Sequence, residues 1–297
     1  MPAVLLGWFY MSSGPLLILA GYSAAIIAAS LLGGWLPSLV KMTHTRTQVA
    51  MSFVAGLMLG VALYHLLPHA IAQVGGPDAI DTVVWWVMAG LILMLLLLRS
   101  FHFHQHDFSA EEDDHHDHQE HGHPHGHGAQ SLSWLGMAIG LSLHTLVDGV
   151  ALGASIKAEW SADSGATFVG LGVLLAILLH KPLDALSITT LMKADGWSSR
   201  ARTSTNISFS LMCPLGALLF FWGVGFVGGL RELVIGCALA FSAGVFLCIS
   251  LSDLLPEVHF HSHDRGKLTC SFLLGIGLAY ALGYAEPDMT HALEALP

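Results

Sequence analysis

This 297-residue chain contains few charged residues. Charged residues make up 11% of it and hydrophobic residues 54%, whereas charged residues make up roughly 25% of a typical soluble protein. A soluble protein of this length needs far more charge to cover its surface, so the composition excludes an ordinary cytosolic enzyme and predicts a multi-span membrane protein. Basic residues are also few, with 11 Lys and Arg against 21 Asp and Glu and a net charge of −10, which argues against nucleic-acid binding.

Cysteine is scarce as well. The chain has four cysteines, and no two of them form a CxxC pair. All four lie in or next to apolar runs, so we expect small buried side chains and neither a disulfide framework nor a zinc knuckle. They are Cys213, Cys237, Cys248 and Cys270.

Long apolar runs are abundant, and each is long enough for a membrane helix, which needs about 20 apolar residues. The runs are continuous and do not alternate, which excludes the strands of a membrane barrel. We therefore predict an all-α membrane protein with eight transmembrane helices, forming a single transmembrane domain over residues 1–297. The predicted spans are 15–37, 49–69, 82–99, 132–156, 165–192, 204–227, 232–256 and 268–285.

Basic residues between the spans predict the orientation, because Lys and Arg collect on the cytoplasmic side. If both termini are outside, the outer loops contain only Lys157 and Arg231, and the inner loops contain eight basic residues. We therefore expect an integral, multi-pass protein of the cell (inner) membrane with its N- and C-termini outside. The eight inner residues are Lys41, Arg46, Arg99, Lys193, Arg200, Arg202, Arg265 and Lys267.

Spans 2 and 7 resemble each other at an offset of 188 residues. Span 2 reads FVAGLMLGVALYHLLPHA, and span 7 reads FSAGVFLCISLSDLLPEV. The alignment places His65 opposite Asp253 and His69 opposite Glu257, and we expect these four residues to line a transport pathway. The two spans run in opposite directions, so spans 1–3 and 6–8 are predicted to form an inverted repeat around a central pair, spans 4 and 5. The alternative is a chance similarity between two leucine-rich helices.

Spans 4 and 5 contain ionisable residues that are costly in a membrane. Span 4 has His144 and Asp148, and span 5 has His180 and Asp184, each pair four residues apart and so on one helical face. A carboxylate at the centre of a membrane helix costs at least about 2.5–3.5 kcal/mol. Imidazole nitrogen and carboxylate oxygen suit Zn²⁺ and neighbouring divalent ions. The four residues predict a metal site near the membrane midplane.

Three other features of spans 4 and 5 have two interpretations each. Lys181 is either a counter-ion for the buried carboxylates or a group whose ammonium takes the place of a second metal ion. Pro182 is predicted to kink span 5, either to free a carbonyl for a polar cavity or for packing alone. Gly149 and Gly153 permit a close helix contact, with or without a role in the site.

These motifs resemble those of the ZIP (Zrt-, Irt-like protein) family of divalent-metal transporters. The span 4 pattern H-N-x-x-D/E-G reads HTLVDG here, and the span 5 pattern H/Q-E/D-x-x-H/E reads HKPLD. The ends HLLPH and DLLPE of spans 2 and 7 also match the family. The resemblance implies a metal site between spans 4 and 5, a thioether ligand from Met58, and an elevator-type or rocking movement of one bundle against another. Thr145 and Lys181 replace residues that bind a second metal in some members, so the resemblance implies a mononuclear site.

The segment between spans 3 and 4 is rich in histidine. Residues 102–127 contain ten of the 19 histidines, among acids and glycine. This composition cannot form a packed core, so we expect a mobile cytoplasmic loop over residues 102–130. Histidines so closely spaced predict weak metal binding, for receiving, buffering or sensing the ion; the alternative is a plain polar linker. The histidines expected to bind are His115, His116, His118, His121, His123, His125 and His127.

The leading functional hypothesis is transport of a divalent transition metal into the cytoplasm. Zn²⁺ is the expected substrate, with Fe²⁺, Cd²⁺ and Mn²⁺ as alternatives. We expect no organic cofactor, no enzymatic activity, a lipid bilayer as surroundings, and small-residue faces on spans 1 and 3 that permit a homodimer. The competing hypotheses are a cation efflux transporter, an intramembrane metalloenzyme and a metal sensor. Eight spans disfavour efflux, and the absence of HExxH disfavours the enzyme.

Overall fold

The structure is a computed structural model in which all regular structure of the described residues is helical. It describes the backbone of residues 2–39, 44–100, 133–162, 168–260 and 265–286. Side chains are described for residues 14–35, 45–100, 134–162, 168–252 and 265–286. The histidine-rich loop therefore lies outside the described residues, and so do the side chains of Asp253 and Glu257. Their predicted roles stay predictions.

Ten α-helices follow one another in the described part of the chain. A π-helical turn at Ala62–Leu66 links the second and third, and short 3₁₀ turns at Val224–Phe226 and Gly228–Leu230 precede the ninth. The helices are α1 (Pro2–Leu39), α2 (His44–Val61), α3 (Leu67–Val74), α4 (Ala79–Ser100), α5 (Ser133–Ala162), α6 (Leu171–Ala194), α7 (Ser199–Ser210), α8 (Met212–Gly223), α9 (Arg231–Phe260) and α10 (Arg265–Leu282).

Seven helical stretches in the described part of the chain are long and apolar enough to cross a membrane. They make the chain an integral, multi-pass membrane protein and correspond to the first seven predicted spans. The stretches are Gly14–Trp35, Thr45–Val74, Ala79–Ser100, Trp134–Ala162, Leu171–Ala194, Ser199–Phe226 and Gly228–Ser252. The predicted eighth span coincides with α10, an 18-residue helix packed along α2. That α10 crosses the membrane stays a prediction.

Proline explains why two of these stretches are not uniform α-helices. Pro68 lies at the start of α3; it has no amide hydrogen for the carbonyl of Tyr64, and its ring crowds that carbonyl. The preceding turn widens into the π-helical turn, in which the Leu67 amide donates to the Ala62 carbonyl. In the sixth stretch, Pro214 cannot donate to the carbonyl of Ser210, and the chain breaks there into α7 and α8.

The helices pack into two bundles. In one bundle α2 lies along α10 and α4 along α9, with α3 against α9; in the other α1 lies along α6 and α5 along α8, with α7 against α1 and α6. The bundles meet mainly where α5 contacts α9 and where α2 contacts α6. Any polar group at the inner faces of α5 and α6 is therefore enclosed between the bundles.

Glycines bring the paired helices of the first bundle into backbone contact. A Cβ at Gly56 of α2 would collide with the Phe272 carbonyl of α10, and one at Gly244 of α9 would collide with the Val87 carbonyl of α4. Gly56 and Gly244 are aligned residues of the two similar segments. Small residues that let helix backbones approach closely are the usual packing device in membranes.

The outer surface of the bundles is apolar, as a lipid-facing surface must be. Large side chains such as Leu17, Trp85 and Phe226 are more than 70% exposed. All four cysteines are free. Cys213 and Cys248 are buried as expected, and Cys237 is half-buried. The prediction was wrong for Cys270, which is exposed, because α10 packs mainly against α2 and leaves its other side uncovered.

The close helix contacts yield a stability prediction within α10. We expect Gly275→Ala to destabilise the protein by about 1–3 kcal/mol, because the new Cβ would collide with the Phe53 carbonyl of α2. Gly277→Ala is the matched control, since no atom lies within 4 Å of its new Cβ. Thermal unfolding of both variants in detergent checks this, and equal melting temperatures would contradict it.

Candidate metal centre

Helix α5 places His144 and Asp148 near its middle, one helical turn apart. His144 Nε2 lies 3.5 Å from Asp148 Oδ2. Both side chains are buried, Asp148 completely. The second oxygen of this carboxylate, Oδ1, has no hydrogen-bond partner. A fully buried carboxylate with an unpartnered oxygen is costly unless a cation or a proton reaches it.

Helix α6 directs His180 at the same carboxylate. His180 Nε2 lies 3.1 Å from Asp148 Oδ2, and Nδ1 donates a hydrogen bond of 2.7 Å to the Ala176 carbonyl. With the proton on Nδ1, a neutral imidazole presents the lone pair of Nε2 to an oxygen that is also an acceptor. The two atoms repel unless a proton or a metal ion lies between them. Metal-binding histidines are usually oriented by such a bond from the other ring nitrogen.

Asp184 and Met58 lie at the edge of this cluster. Asp184 Oδ2 is 3.9 Å from His180 Nε2. Met58 of α2 lines a cavity of about 60 Å³ together with His144, His180 and Asp184. The structure thus brings together all five predicted site residues. Binding of metal by them stays a prediction.

Lys181 is one of the largest fully buried side chains in the described part of the protein. Its Nζ donates to Asp148 Oδ2 at 2.8 Å, to Asp184 Oδ2 at 3.1 Å and to Thr145 Oγ1 at 2.7 Å. Thr145 in turn donates to the Leu141 carbonyl at 2.6 Å. The ammonium therefore neutralises both carboxylates, and the hydroxyl of Thr145 is already used in two hydrogen bonds.

Packing explains the remaining features of spans 4 and 5. The backbone of Pro182 lies directly against Gly33 of α1, where a Cβ has no room. Gly149 likewise lies against the Cys213 carbonyl of α8, and Gly153 lies 3.1 Å from the Ala217 carbonyl, measured from an added Cβ. These contacts favour the packing interpretation for Pro182 and both glycines.

The spacing of the ligand-type atoms fits one metal ion. Two ligand atoms bound to a tetrahedral zinc at about 2.0–2.2 Å lie about 3.4 Å apart. The imidazole–carboxylate separations here are 3.1, 3.5 and 3.9 Å. One ligand atom each from His144, Asp148 and His180 lies within 4.8 Å of the others. Small movements suffice for these groups to surround one divalent cation.

The predicted pathway residues His65 and His69 lie elsewhere, in a second buried cluster. His65 Nδ1 forms a short contact with Glu286 Oε2, and its Nε2 donates to the Ala279 carbonyl at 2.7 Å. His69 Nδ1 lies 3.6 Å from Glu159 Oε1. The structure therefore separates these histidines from His144 and His180 and combines them with two glutamates.

Sequence reasoning did not single out Glu159 or Glu286. The predicted spans 4 and 8 end at residues 156 and 285, so both glutamates were assigned to loops. One signal was available: His144, Asp148, Ser155 and Glu159 are spaced 4, 7 and 4 residues apart, which places them on one face of a helix. The Glu286 position had no comparable signal, because it follows the end of α10.

The fold and the site define a class: a polytopic helical membrane protein with a buried imidazole–carboxylate cluster between two helices. The family of ZIP zinc transporters matches the chain over residues 16–283. The chain therefore belongs to the ZIP zinc transporter family, as the motifs in spans 2, 4, 5 and 7 predicted.

Curated relatives cover part of the chain. The chain is 32% identical over 162 residues to zinc transporter ZIP9-B of Xenopus laevis, covering 49% of the chain and 52% of that protein. It is 33% identical over 136 residues to zinc transporter ZIP9 of Micropogonias undulatus, covering 43% and 42%. It is 25% identical over 166 residues to zinc transporter foi of Drosophila melanogaster, covering 54% and 22%. The chain thus spans about half the length, or less, of these relatives.

The Lys181 contacts predict how metal and ammonium compete. In Lys181→Met the two carboxylates lose their counter-ion, which costs about 3–5 kcal/mol for a buried pair. We expect metal-free Lys181→Met to melt well below the unsubstituted protein, and Zn²⁺ to raise its melting temperature by more than it raises that of the unsubstituted protein. Lys193→Met, on the exposed end of α6, is the control. An equal zinc effect in all three proteins would make Lys181 a structural counter-ion only.

Proposed function

We propose that the protein carries a divalent transition-metal ion, Zn²⁺ above all, across the membrane into the cytoplasm. The ion binds near the midplane, between α5 and α6, to His144, Asp148, His180 and Asp184. Met58 adds a thioether from the opposing bundle. Fe²⁺, Cd²⁺ and Mn²⁺ are alternative substrates, because imidazole and carboxylate ligands do not select among them by affinity alone.

One observation carries this proposal: Nε2 of His180 faces the completely buried carboxylate of Asp148, and a neutral imidazole with its proton on Nδ1 would direct a lone pair at that carboxylate. His180 Nδ1 is engaged with the Ala176 carbonyl, and Nε2 and Oδ2 are 3.1 Å apart. Asp148 Oδ1 is free of any partner. Such a pairing of acceptors is costly as a packing device and favourable as a cation site.

Lys181 supports a site for a single metal ion. Its ammonium already contacts Asp148 and Asp184, at a place where a second cation would be repelled. Thr145 is held in this arrangement, because its hydroxyl accepts a hydrogen bond from Lys181 and donates one to the Leu141 carbonyl. The ammonium also keeps the carboxylates compensated when no metal is bound.

The shape of the cavity supports access to the site from one side of the membrane. Its lining follows α2 from Met58 back to Thr47 and follows α6 from His180 forward to Ser187. Both walls run toward the ends of α2 and α6 that are rich in basic residues, the side expected in the cytoplasm. This arrangement is that of a site open to the cytoplasmic side.

The two-bundle architecture supports alternating access. The imidazole and carboxylate residues all belong to the bundle of α1 and α5–α8, while Met58 belongs to the other. The packing partners also agree with an inverted repeat of spans 1–3 and 6–8: the contact of span 2 with span 8 corresponds to that of span 7 with span 3. A movement of one bundle against the other would carry the ion without unfolding the site.

Relatives support the choice of metal. The proteins ZIP9-B, ZIP9 and foi are each named as zinc transporters. The histidine-rich loop between α4 and α5 is proposed to bind the ion after release, since it lies on the expected cytoplasmic side and contains seven closely spaced histidines in residues 115–127.

Uptake into vesicles containing the purified protein tests the midplane site. We expect Asp148→Ala and Asp184→Ala to lower zinc uptake by at least about tenfold, because each removes a ligand rather than an outer partner. Asp195→Ala, at the exposed end of α6, is the matched control and should transport normally. Normal uptake by both site variants, with folding intact, would refute the site.

Removing the loop tests its separation from the bundle. We expect deletion of residues 104–127 to leave zinc uptake largely intact, because the described helices pack without it. In the control, the seven loop histidines are changed to serine in the full-length chain. This variant separates the loss of the histidines from the shortening of the segment between α4 and α5. Loss of folding in both proteins would contradict a role confined to receiving or buffering metal.

A further inference from the structure

The second cluster contains two buried carboxylates that share a small volume with an imidazole. One ligand-type atom each from His69, Glu159 and Glu286 lies within 4.8 Å of the others. Glu159 is completely buried, and His69 and Glu286 are 7% and 8% exposed. Bringing two such carboxylates together away from water requires a proton or a cation to offset their repulsion.

Neighbouring groups hold both glutamates in place by donating hydrogen bonds. Glu159 accepts at 2.7 Å from the Ser155 hydroxyl and at 2.7 Å from the Gly170 amide. Glu286 accepts at 2.5 Å from the Gly172 amide. Gly170 takes a left-handed φ of 71°, a conformation that favours glycine, and so turns its amide toward Glu159. These donors orient the carboxylates toward one another and toward His69.

His69 is the unpartnered member of the cluster. Its Nδ1 is buried and has no hydrogen-bond partner, and the 3.6 Å to Glu159 Oε1 exceeds a normal hydrogen bond. The same distance is close to the roughly 3.4 Å that separates two ligand atoms on one tetrahedral zinc ion. A nitrogen and an oxygen aimed at each other across such a gap fit a divalent metal between them.

His65 has a different part in this cluster. Its Nε2 donates to the Ala279 carbonyl, and its Nδ1 contacts Glu286 Oε2. Both ring nitrogens therefore have partners within the cluster. Its role is to position Glu286, which follows the end of α10, against the start of α6.

We propose that His69, Glu159 and Glu286 form a second binding site for a divalent transition-metal ion, at the end of the bundle opposite to the basic helix ends. Two carboxylates and one imidazole are a ligand set that suits zinc and its neighbours. Glu159 follows Asp148 on the same face of α5 by eleven residues, which is about three turns and about 16 Å. The second site is therefore separate from the midplane centre.

Its role as a loading site for the midplane centre rests on the proposed function, whereas binding of the ion does not. On the orientation predicted from the basic residues, the cluster lies at the outer mouth. An ion held there would need to travel only about three turns along α5.

Anomalous scattering at the zinc edge from crystals of the full chain, soaked with Zn²⁺ alone, tests the site. We expect one peak beside His69 and Glu159 and another beside Asp148. In Glu159→Gln the site beside His69 should bind zinc at least about tenfold more weakly, so its peak should weaken, while the peak beside Asp148 persists. Glu232→Gln, an exposed glutamate in the first turn of α9, is the control and should keep both peaks.

The outcomes distinguish the second site from the proposed function. A zinc peak at Asp148 without one at His69 overturns the second site alone, and means that a shared proton neutralises Glu159 and Glu286. A peak at His69 without one at Asp148 counts against the midplane site and supports this one. If Glu159→Gln fails to fold, Glu286→Gln replaces it, and the unsubstituted protein still decides whether zinc binds.

Vesicle uptake tests the loading role. Glu159→Gln should raise the zinc concentration for half-maximal uptake by at least about tenfold, and Asp148→Ala should lower the maximal rate. A second site that binds zinc in the crystal while Glu159→Gln leaves the half-maximal concentration unchanged would overturn the loading role.

Discussion

A buried carboxylate in a membrane protein needs a positive partner, and this requirement organises the centre of the molecule. Asp148 is completely buried, and its oxygen Oδ2 faces Lys181, His180 and His144 at 2.8, 3.1 and 3.5 Å. In a surrounding of low dielectric constant an uncompensated charge is far more costly than in water. The ammonium of Lys181 provides that partner for both Asp148 and Asp184, and the imidazoles of His144 and His180 lie beside the same oxygen of Asp148.

Both bundles serve this arrangement. The close packing of α1 on α6 and of α5 on α8 fixes the two helices that present the imidazoles and carboxylates. The other bundle, joined through backbone contacts at Gly56 and Gly244, covers the site with α2 and α9. The site therefore lies at the boundary between two internally well-packed bodies.

Helix α5 connects the two polar clusters. Asp148 near its middle and Glu159 near its end lie on one face, three turns apart. The π-helical turn between α2 and α3 also serves the second cluster, because it changes the direction in which the side chains of α3 project. His65 lies buried within this turn, and His69 lies in the first turn of α3. Both imidazoles therefore meet the end of α5 and the segment after α10. Such turns recur at functional sites of helical proteins.

Much of this architecture was predictable because membrane helices are dictated by local composition. The apolar runs predicted all seven candidate spans, and the i, i+4 spacing predicted that His144 would approach Asp148 and that His180 would approach Asp184. The exact ends of spans 4 and 8 were not predictable from hydropathy. Glu159 and Glu286 are charged residues whose burial depends on partners from distant parts of the chain, and such residues look like loop residues in a sequence.

The class of fold, the family and the residue types available for metal binding follow from the amino-acid sequence, because lipid requires long apolar helices and ionisable groups within them are costly. The contacts of Lys181 with both aspartates, and of His69 with Glu159 and Glu286, follow only from how the helices pack. A buried charge is made tolerable by neighbours in space, and those neighbours lie up to 221 residues away in the sequence, as His65 and Glu286 do.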